Sequence, residues 1–239
     1  MKTAFITGAN QGIGFETARQ LAKLNYYVYL GSRNLEKGLH AVDKLKSEGL
    51  TNVESVGLDV TSIYSIISAK QTVENKTQQL DLLINNAGIA GMQPQNISTG
   101  SIENLRNVFE TNFFGAVQTT QQFIDLLKKS NKPTIINVSS PLGSLTMQSS
   151  SQNPNHRIYD AYSCSKAALN ALTVLLAREF KDTNFRINSV EPGYTATNLN
   201  EYKGTQTVEQ AAGIIVKHAI SDSTETGFFF DRTGNELGW

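Results

Sequence analysis

The sequence predicts a doubly wound α/β fold, a parallel seven-stranded sheet with helices on both faces, as one domain over 1–239. Three observations carry that prediction. Short apolar runs alternate with longer stretches of helical periodicity, an order that calls for parallel strands joined by right-handed crossovers. Most of the runs are continuously apolar, as burial on both faces requires. No linker, repeat or low-complexity segment divides the 239 residues, a length at which one domain can bury a substantial core.

The elements follow in order. "KTAFIT" (2–7) is the first strand and runs into the glycines of "TGANQGIG" (7–14), which open a helix near 12–24. "YYVYLG" (26–31) and a helix near 34–48 come next, then "NVESVGLD" (52–59) and a helix near 62–78. "LDLLINNAG" (80–88) precedes a long helical pattern at 101–129, and "TIINVSS" (134–140) precedes a polar loop, "QSSSQNPNHR" (148–157). A helix over 159–181 leads to "FRINSVEPG" (185–193), a helix near 207–220 and a short last strand, "GFFFD" (227–231). Aromatic and β-branched residues dominate the strands, and Gly, Asn or Ser punctuates their ends.

Composition bounds the function. Lys plus Arg equals Asp plus Glu, 21 each, so no general attraction to nucleic acid or an acidic membrane is expected. One cysteine, Cys164, allows no intrachain disulfide. The start, "MKTAFITGAN", goes straight into a strand, and nothing approaches the roughly 18 apolar residues of a membrane helix. A cytoplasmic protein is the expectation.

In such a sheet ligands bind beyond the carboxyl ends of the strands, at the switch in strand order. Gly8, Gly12 and Gly14 stand at the first strand end, spaced G-x3-G-x-G with Asn10, Gln11 and Ile13 between. A backbone free of side chains turns sharply there and lets a diphosphate approach the positive end of a helix. At the second strand end the run is "YLGSRNLEK", with no acid before Glu36. A carboxylate there would bind the 2′-hydroxyl of NAD; Ser32, Arg33 and Lys37 instead favour the 2′-phosphate of NADP.

Tyr162 and Lys166 in "YSCSK" lie four residues apart, one helical turn on a shared face. A phenol titrates near ~10, so it needs a nearby cation to work as an acid or base at neutral pH. Lys166 is expected to lower the Tyr162 pKa. Tyr159 shares the face two turns, roughly 10 Å, from Lys166, too far for direct help.

Together these pieces resemble the short-chain dehydrogenase/reductase family in its compact, single-domain Rossmann branch. "TGANQGIG" (7–14), "LDV" (58–60), "NNAG" (85–88), "NFFG" (112–115), "NVSS" (137–140), "YSCSK" (162–166) and "PGYTAT" (192–197) arrive in order along the chain. "GSRNLEKG" and "LDLLINNAGIA" look most like its NADPH-dependent carbonyl reductases. The resemblance implies that Tyr162 gives the proton to the substrate oxygen, and that Lys166 tunes it and binds the nicotinamide ribose. It implies that Ser140 stabilises the developing oxyanion and that Asn112 holds a relay water. Asp59 and Val60 would meet the adenine, Asn86 and Gly88 the adjoining ribose, and Pro192, Gly193 and Thr195 the nicotinamide side. Ser139, on the other face of the strand, is expected to be structural.

Two features depart from the family pattern. Ser140 and Tyr162 are 22 residues apart, farther than in compact members, and the surplus matches the loop 148–157, a substrate-side flap or an idle insertion. Gln11 stands where NADPH-dependent relatives often carry a base. Among the remaining residues, Cys164 reads as a small buried thiol, and His40, His156 and His218 show no metal-ligand spacing. Tyr194 reads as a wall of the substrate pocket, and Trp239 as an oligomer contact or a local packing group.

The expected activity is hydride transfer from NADPH to a ketone or aldehyde, in a homodimer or homotetramer paired through helices 101–129 and 159–181. Rival readings are an NAD(P)-dependent alcohol, hydroxysteroid or β-ketoacyl enzyme, and a noncatalytic NADP-sensing regulator. A sugar-nucleotide epimerase has little room for its substrate domain after "PGYTAT".

Overall fold

All four residues of β1 (Thr3–Ile6) are buried, and their side chains alternate between two cores. Ala4 and Ile6 join Leu82, Ile84 and Ile136 in one, while Phe5 joins Leu83, Ile135 and Phe123 in the other. Burying one such side chain contributes about 1.5–3 kcal/mol, and a strand apolar on both faces belongs mid-sheet. The computed structural model, which describes residues 1–150 and 159–239, places it there.

The other strands are β2 (Tyr27–Ser32), β3 (Val53–Gly57), β4 (Leu82–Asn85), β5 (Thr134–Val138), β6 (Arg186–Val190) and β7 (Phe229–Phe230). All seven pair parallel in the order β3-β2-β1-β4-β5-β6-β7. The expected doubly wound Rossmann sheet is therefore present. Helices α1 (Gly12–Lys23), α2 (Leu35–Ser47) and α8 (Val208–Ile220) cover one face. Helices α3 (Ile63–Glu74), α5 (Gly115–Leu127) and α7 (Asp160–Glu179) cover the other. Two shorter α-helices are α4 (Ile102–Phe109), which packs against α7, and α6 (Leu145–Gln148). Among the described residues no helix is long and apolar enough to cross a membrane.

The helix expected over 101–129 is divided: a π turn, Glu110–Phe114, separates α4 from α5. The backbone widens where Asn112 turns its amide inward to hold Ile89, and such insertions recur at functional sites. The fourth strand stops at Asn85 rather than Gly88 because the Thr7 hydroxyl accepts from the Asn86 and Ala87 amides, 3.0 and 2.9 Å. Those bonds pull the chain out of the ladder. Gln148 closes α6, and residues 151–157 of the predicted loop, with His156, lie outside the described residues.

β1 pairs with β2 on one side and β4 on the other, so the crossovers change direction between β1 and β4. The loops leaving those two strands part, and a cleft opens at the carboxyl edge. A buried polar layer underlies it. Asn85 donates to Asn137 (2.8 Å) and Asn137 to Thr173 (2.8 Å), while the Thr173 and Ser189 hydroxyls share a bond of 2.8 Å. These bonds fix β4, β5, β6 and α7 to one another; each satisfied buried bond contributes about 1 kcal/mol, and the set fixes where α7 sits.

Candidate active site

The cleft encloses ≈ 930 Å³ along the carboxyl ends of the strands. It gathers the glycine turn (Gly8, Asn10, Gln11, Gly12, Ile13, Gly14), Arg33 after β2, Asp59 and Val60 after β3, and Asn86 and Gly88 after β4. Ser140, Tyr162, Lys166, Pro192, Gly193 and Thr195 complete the expected set along its walls. Three expected residues do not line it. Ser32 is buried and donates its hydroxyl to Asn34 O (2.7 Å), which leaves it no hydrogen for a phosphate. Lys37 is exposed on the first turn of α2, and Asn112 sits behind the wall.

Gly8 and Gly12 adopt left-handed conformations, φ +64° and +58°, which L side chains rarely accept. Gly14 is required for a different reason: a Cβ there would lie 2.6 Å from Gly8 O and 2.5 Å from Asn86 Nδ2. Asn86, expected at a ribose, donates that amide to Thr7 O (2.9 Å) and Gly8 O (3.1 Å) and so holds the turn closed. Gln11 makes no side-chain cap, and the first turn of α1 carries no acid. The positive end of α1 therefore faces the cleft uncapped. A left-handed glycine cradle against an open helix end fits the diphosphate of a dinucleotide, and Arg33 stands where a further phosphate would be met. At the other side of this end, Asp59 holds its carboxylate in a turn by accepting from Thr61 N and Oγ1, 3.0 and 2.7 Å.

At the opposite end the Ser140 hydroxyl hydrogen-bonds the Tyr162 hydroxyl. Ser139 points the other way and donates to Asn170 (2.7 Å), the structural role expected of it. Lys166 is 4 % exposed, donates to Val138 O (2.7 Å) and lies 5.7 Å from the centre of the Tyr162 ring. Asn112 donates to Ile89 O and Ser165 Oγ, 3.0 Å each, and accepts from Ile89 N at 2.8 Å. Both its amide hydrogens are engaged in bracing the loop after β4 against α7. Gly88 is the point of closest approach: a Cβ there would meet Asn112 Oδ1 at 3.3 Å and Lys166 Nζ at 3.7 Å.

Burial is the largest influence on both working groups. It pushes the Tyr162 phenol up to about 12, against a hydrogen bond from Ser140 that lowers it and with the Glu191 carboxylate raising it further. It pulls the Lys166 amine down to about 8. The net direction is therefore the opposite of the one expected: burial outweighs whatever Lys166, held by Val138 O and 5.7 Å from the ring centre, contributes toward lowering the Tyr162 pKa. Tyr162 is a protonated donor across the neutral range.

Several residues of the site went unread in the sequence. Gln95, 2 % exposed, accepts from Tyr162 N (3.1 Å) and donates to Ala90 O (2.8 Å), so it caps α7 from 67 residues away. No local spacing announces such a cap. Glu191 and Arg232 line the same cleft, as do Leu142, Tyr159 and Leu199, while Tyr194 lines it as expected. Glu191 could have been found, since it directly follows a strand that ends at the cleft. Cys164, expected to be buried, is exposed on α7. Trp239 packs locally, its ring stacked on Phe229 (5.7 Å between centroids) and its main-chain oxygen accepting from Thr146 N and Oγ1, 2.6 Å each.

Comparison with known proteins gives concordant matches. A family model described as short chain dehydrogenase matches residues 2–207. The chain is 33% identical to a (+)-neomenthol dehydrogenase of Capsicum annuum, over 96% of this chain and 95% of that protein. Among solved structures it resembles salutaridine reductase from Papaver somniferum, with TM-score 0.85, 29% identity, and 96% and 99% of the two chains covered. It also resembles NADPH-bound carbonyl reductase from chicken fatty liver, with TM-score 0.86, 28% identity, and 100% and 99% covered.

Proposed function

The chain belongs to the short-chain dehydrogenase family, and on that premise we propose that it reduces a ketone or aldehyde to an alcohol with NADPH. One observation carries the reading: the Tyr162 hydroxyl meets the Ser140 hydroxyl inside the cleft that the open end of α1 enters. NADPH supplies the hydride for the carbonyl carbon when bound, and the chain supplies position, charge and the proton. Gly8, Gly12 and the first turn of α1 hold the diphosphate, and Arg33 holds the 2′-phosphate. Pro192, Gly193 and Thr195 form the wall of the nicotinamide side.

Ser140 turns its hydroxyl from Tyr162 to the carbonyl oxygen and stabilises the negative charge that develops there. Tyr162 donates its proton to that oxygen. Its high proton affinity keeps the acid loaded at neutral pH, and the donation is drawn by an alkoxide more basic still. Lys166, fixed by Val138 O, lies near enough to stabilise the phenolate left behind when its amine is charged. Asn112, for which the resemblance implies a relay water, braces Ile89 and Ser165 with its side chain from the π turn.

Leu142, Tyr159, Tyr194 and Leu199 on the same cleft wall favour a bulky apolar carbonyl compound. The similarity to a neomenthol dehydrogenase supports placing cyclic ketones first. The test follows loss of reduced-cofactor absorbance with NADPH and with NADH over cyclic and aromatic ketones, α-diketones, quinones and ketoesters. Turnover with NADPH that disappears in Tyr162→Phe, with NADPH binding retained, is the expected result. Tight NADPH binding without turnover of any carbonyl compound would replace this reading with that of a noncatalytic sensor.

A further inference from the structure

β6 ends at Val190, and the chain leaves the sheet through Glu191, 5 % exposed and on the wall of the cleft. Sheet interiors rarely carry a carboxylate unless it is paired or hydrogen-bonded. Here Oε2 accepts from Arg232 N at 2.9 Å, and the Gly193 amide donates to the same carboxyl group. Burial pushes the Glu191 carboxyl above the usual carboxylate range, and two main-chain donors from two different loops fix the group in place and oppose that shift in favour of the ionised form. Their partner atoms belong to the backbone, so the acidic side chain is not needed merely to neutralise a buried cation.

The position has electrostatic consequences. From the segment after β7, Arg232 attracts the charge of Glu191 and Asp231 opposes it; from α7, the Tyr162 hydroxyl feels its field. Pro192, Gly193 and Thr195 follow in the chain and line the same wall. A fixed negative charge inside a cleft of low dielectric acts strongly on any charge that changes nearby. Carbonyl reduction creates one, because the nicotinamide ring is neutral before it gives up its hydride and cationic afterwards.

The geometry points to Glu191 as a positioning residue that sets the redox preference of the cleft: its carboxylate favours the oxidised dinucleotide over the reduced one. This inference rests on the proposed function, since it assumes that the nicotinamide end of the cofactor lies along the Pro192–Thr195 wall. A stronger hold on the cationic ring makes the bound cofactor a better hydride donor. The carboxylate thus biases the bound equilibrium toward reduction of the carbonyl compound. Glutamine in its place would keep the shape and an oxygen to accept from Arg232 N, but would carry no charge.

The test measures dissociation constants for NADP⁺ and NADPH, by calorimetry or fluorescence titration, in the wild type and in Glu191→Gln and Glu191→Asp. At pH 8 the ratio of the two constants is expected to move roughly tenfold against NADP⁺ in Glu191→Gln. Glu191→Asp is expected to stay within about twofold of the wild type, since it keeps the charge. A merely structural role would weaken both forms together. Should Glu191→Gln fail to fold, the wild-type ratio is followed downward from pH 8 instead, and the NADP⁺ preference is expected to fall as the carboxylate protonates. A ratio unmoved by substitution or by pH overturns the inference and leaves the proposed function standing. A shifted ratio in a protein that turns over no carbonyl compound supports the inference and removes the proposed function.

Discussion

Replacing Lys166 by methionine should make the cofactor-free protein more stable at neutral pH, and the gain should disappear as the solution becomes alkaline. The amine is buried, and its pKa falls to about 8 from 10.5 because burial penalises the charged form. Between those values the unfolded chain holds more protons than the folded one, so stability climbs with pH across that window. Below about 8 the full cost of charging a buried amine opposes folding. The interval from 10.5 to about 8, at about 1.4 kcal/mol per pH unit, amounts to about 3 kcal/mol.

Methionine fills a similar volume without charge. It forfeits the bond to Val138 O, and leaving that carbonyl unpaired costs about 1 kcal/mol. The variant should therefore be about 2 kcal/mol more stable than the wild type at pH 7 and about 1 kcal/mol less stable above pH 10.5. Urea unfolding of both proteins at pH 7, 8, 9 and 10, compared through their extrapolated free energies, reads the difference directly. Titrations common to both chains cancel. A difference that stays constant across that range would refute the argument, because it would mean that Lys166 keeps the same proton affinity folded and unfolded.

Two further outcomes follow from single contacts. Arg33→Ala should weaken NADPH about 10- to 100-fold, the worth of a charge-assisted bond to phosphate, and leave NADH nearly unchanged; equal losses for both cofactors would show that Arg33 meets something other than the 2′-phosphate. Gln95→Leu keeps the volume but leaves Tyr162 N and Ala90 O without their partner, so it should cost about 1–3 kcal/mol in thermal or urea unfolding and lower kcat more than it raises KM. An unchanged kcat would show that α7 does not depend on this external cap to present Tyr162.

The layered fold was legible because burial on two faces leaves a strong imprint: Thr3–Ile6 or Thr134–Val138 has no reading as a solvent-facing strand. The cleft was legible where one residue type has few other uses, as with Gly8, Gly12 and Gly14 in a turn between strand and helix. What stayed hidden was set by individual contacts, some local and some between distant segments. Ser32 looked like a phosphate ligand from its place in the chain, yet its hydroxyl turns back to Asn34 O, a bond two residues long that propensity does not forecast. Asn86, expected at a ribose, lines the cleft, but the sequence did not show that its amide also closes the glycine turn. The direction of the Tyr162 shift was hidden because it is set by burial, which the sequence does not show. A sequence shows that a lysine is one turn away, but not that a main-chain carbonyl has already claimed it.

The helix starts make the same division visible within a single molecule. Asn34, Ser62, Ser101, Ser144 and Thr207 each cap their own helix, with the side-chain oxygen accepting from the amide three residues on. α5 needs no such residue because it continues from the π turn. Only α1 and α7 among the described helices begin as independent helices without a cap of their own, and both begin at the cleft. α7 receives its cap from Gln95, which couples the register of Tyr162 to the loop at Ala90. α1 receives none. A missing cap costs about 1 kcal/mol, and a chain that supplies one at five other helices leaves this end open where an anion can complete it. The glycine turn in front of it would admit that anion, so the local defect and the proposed dinucleotide site are one feature.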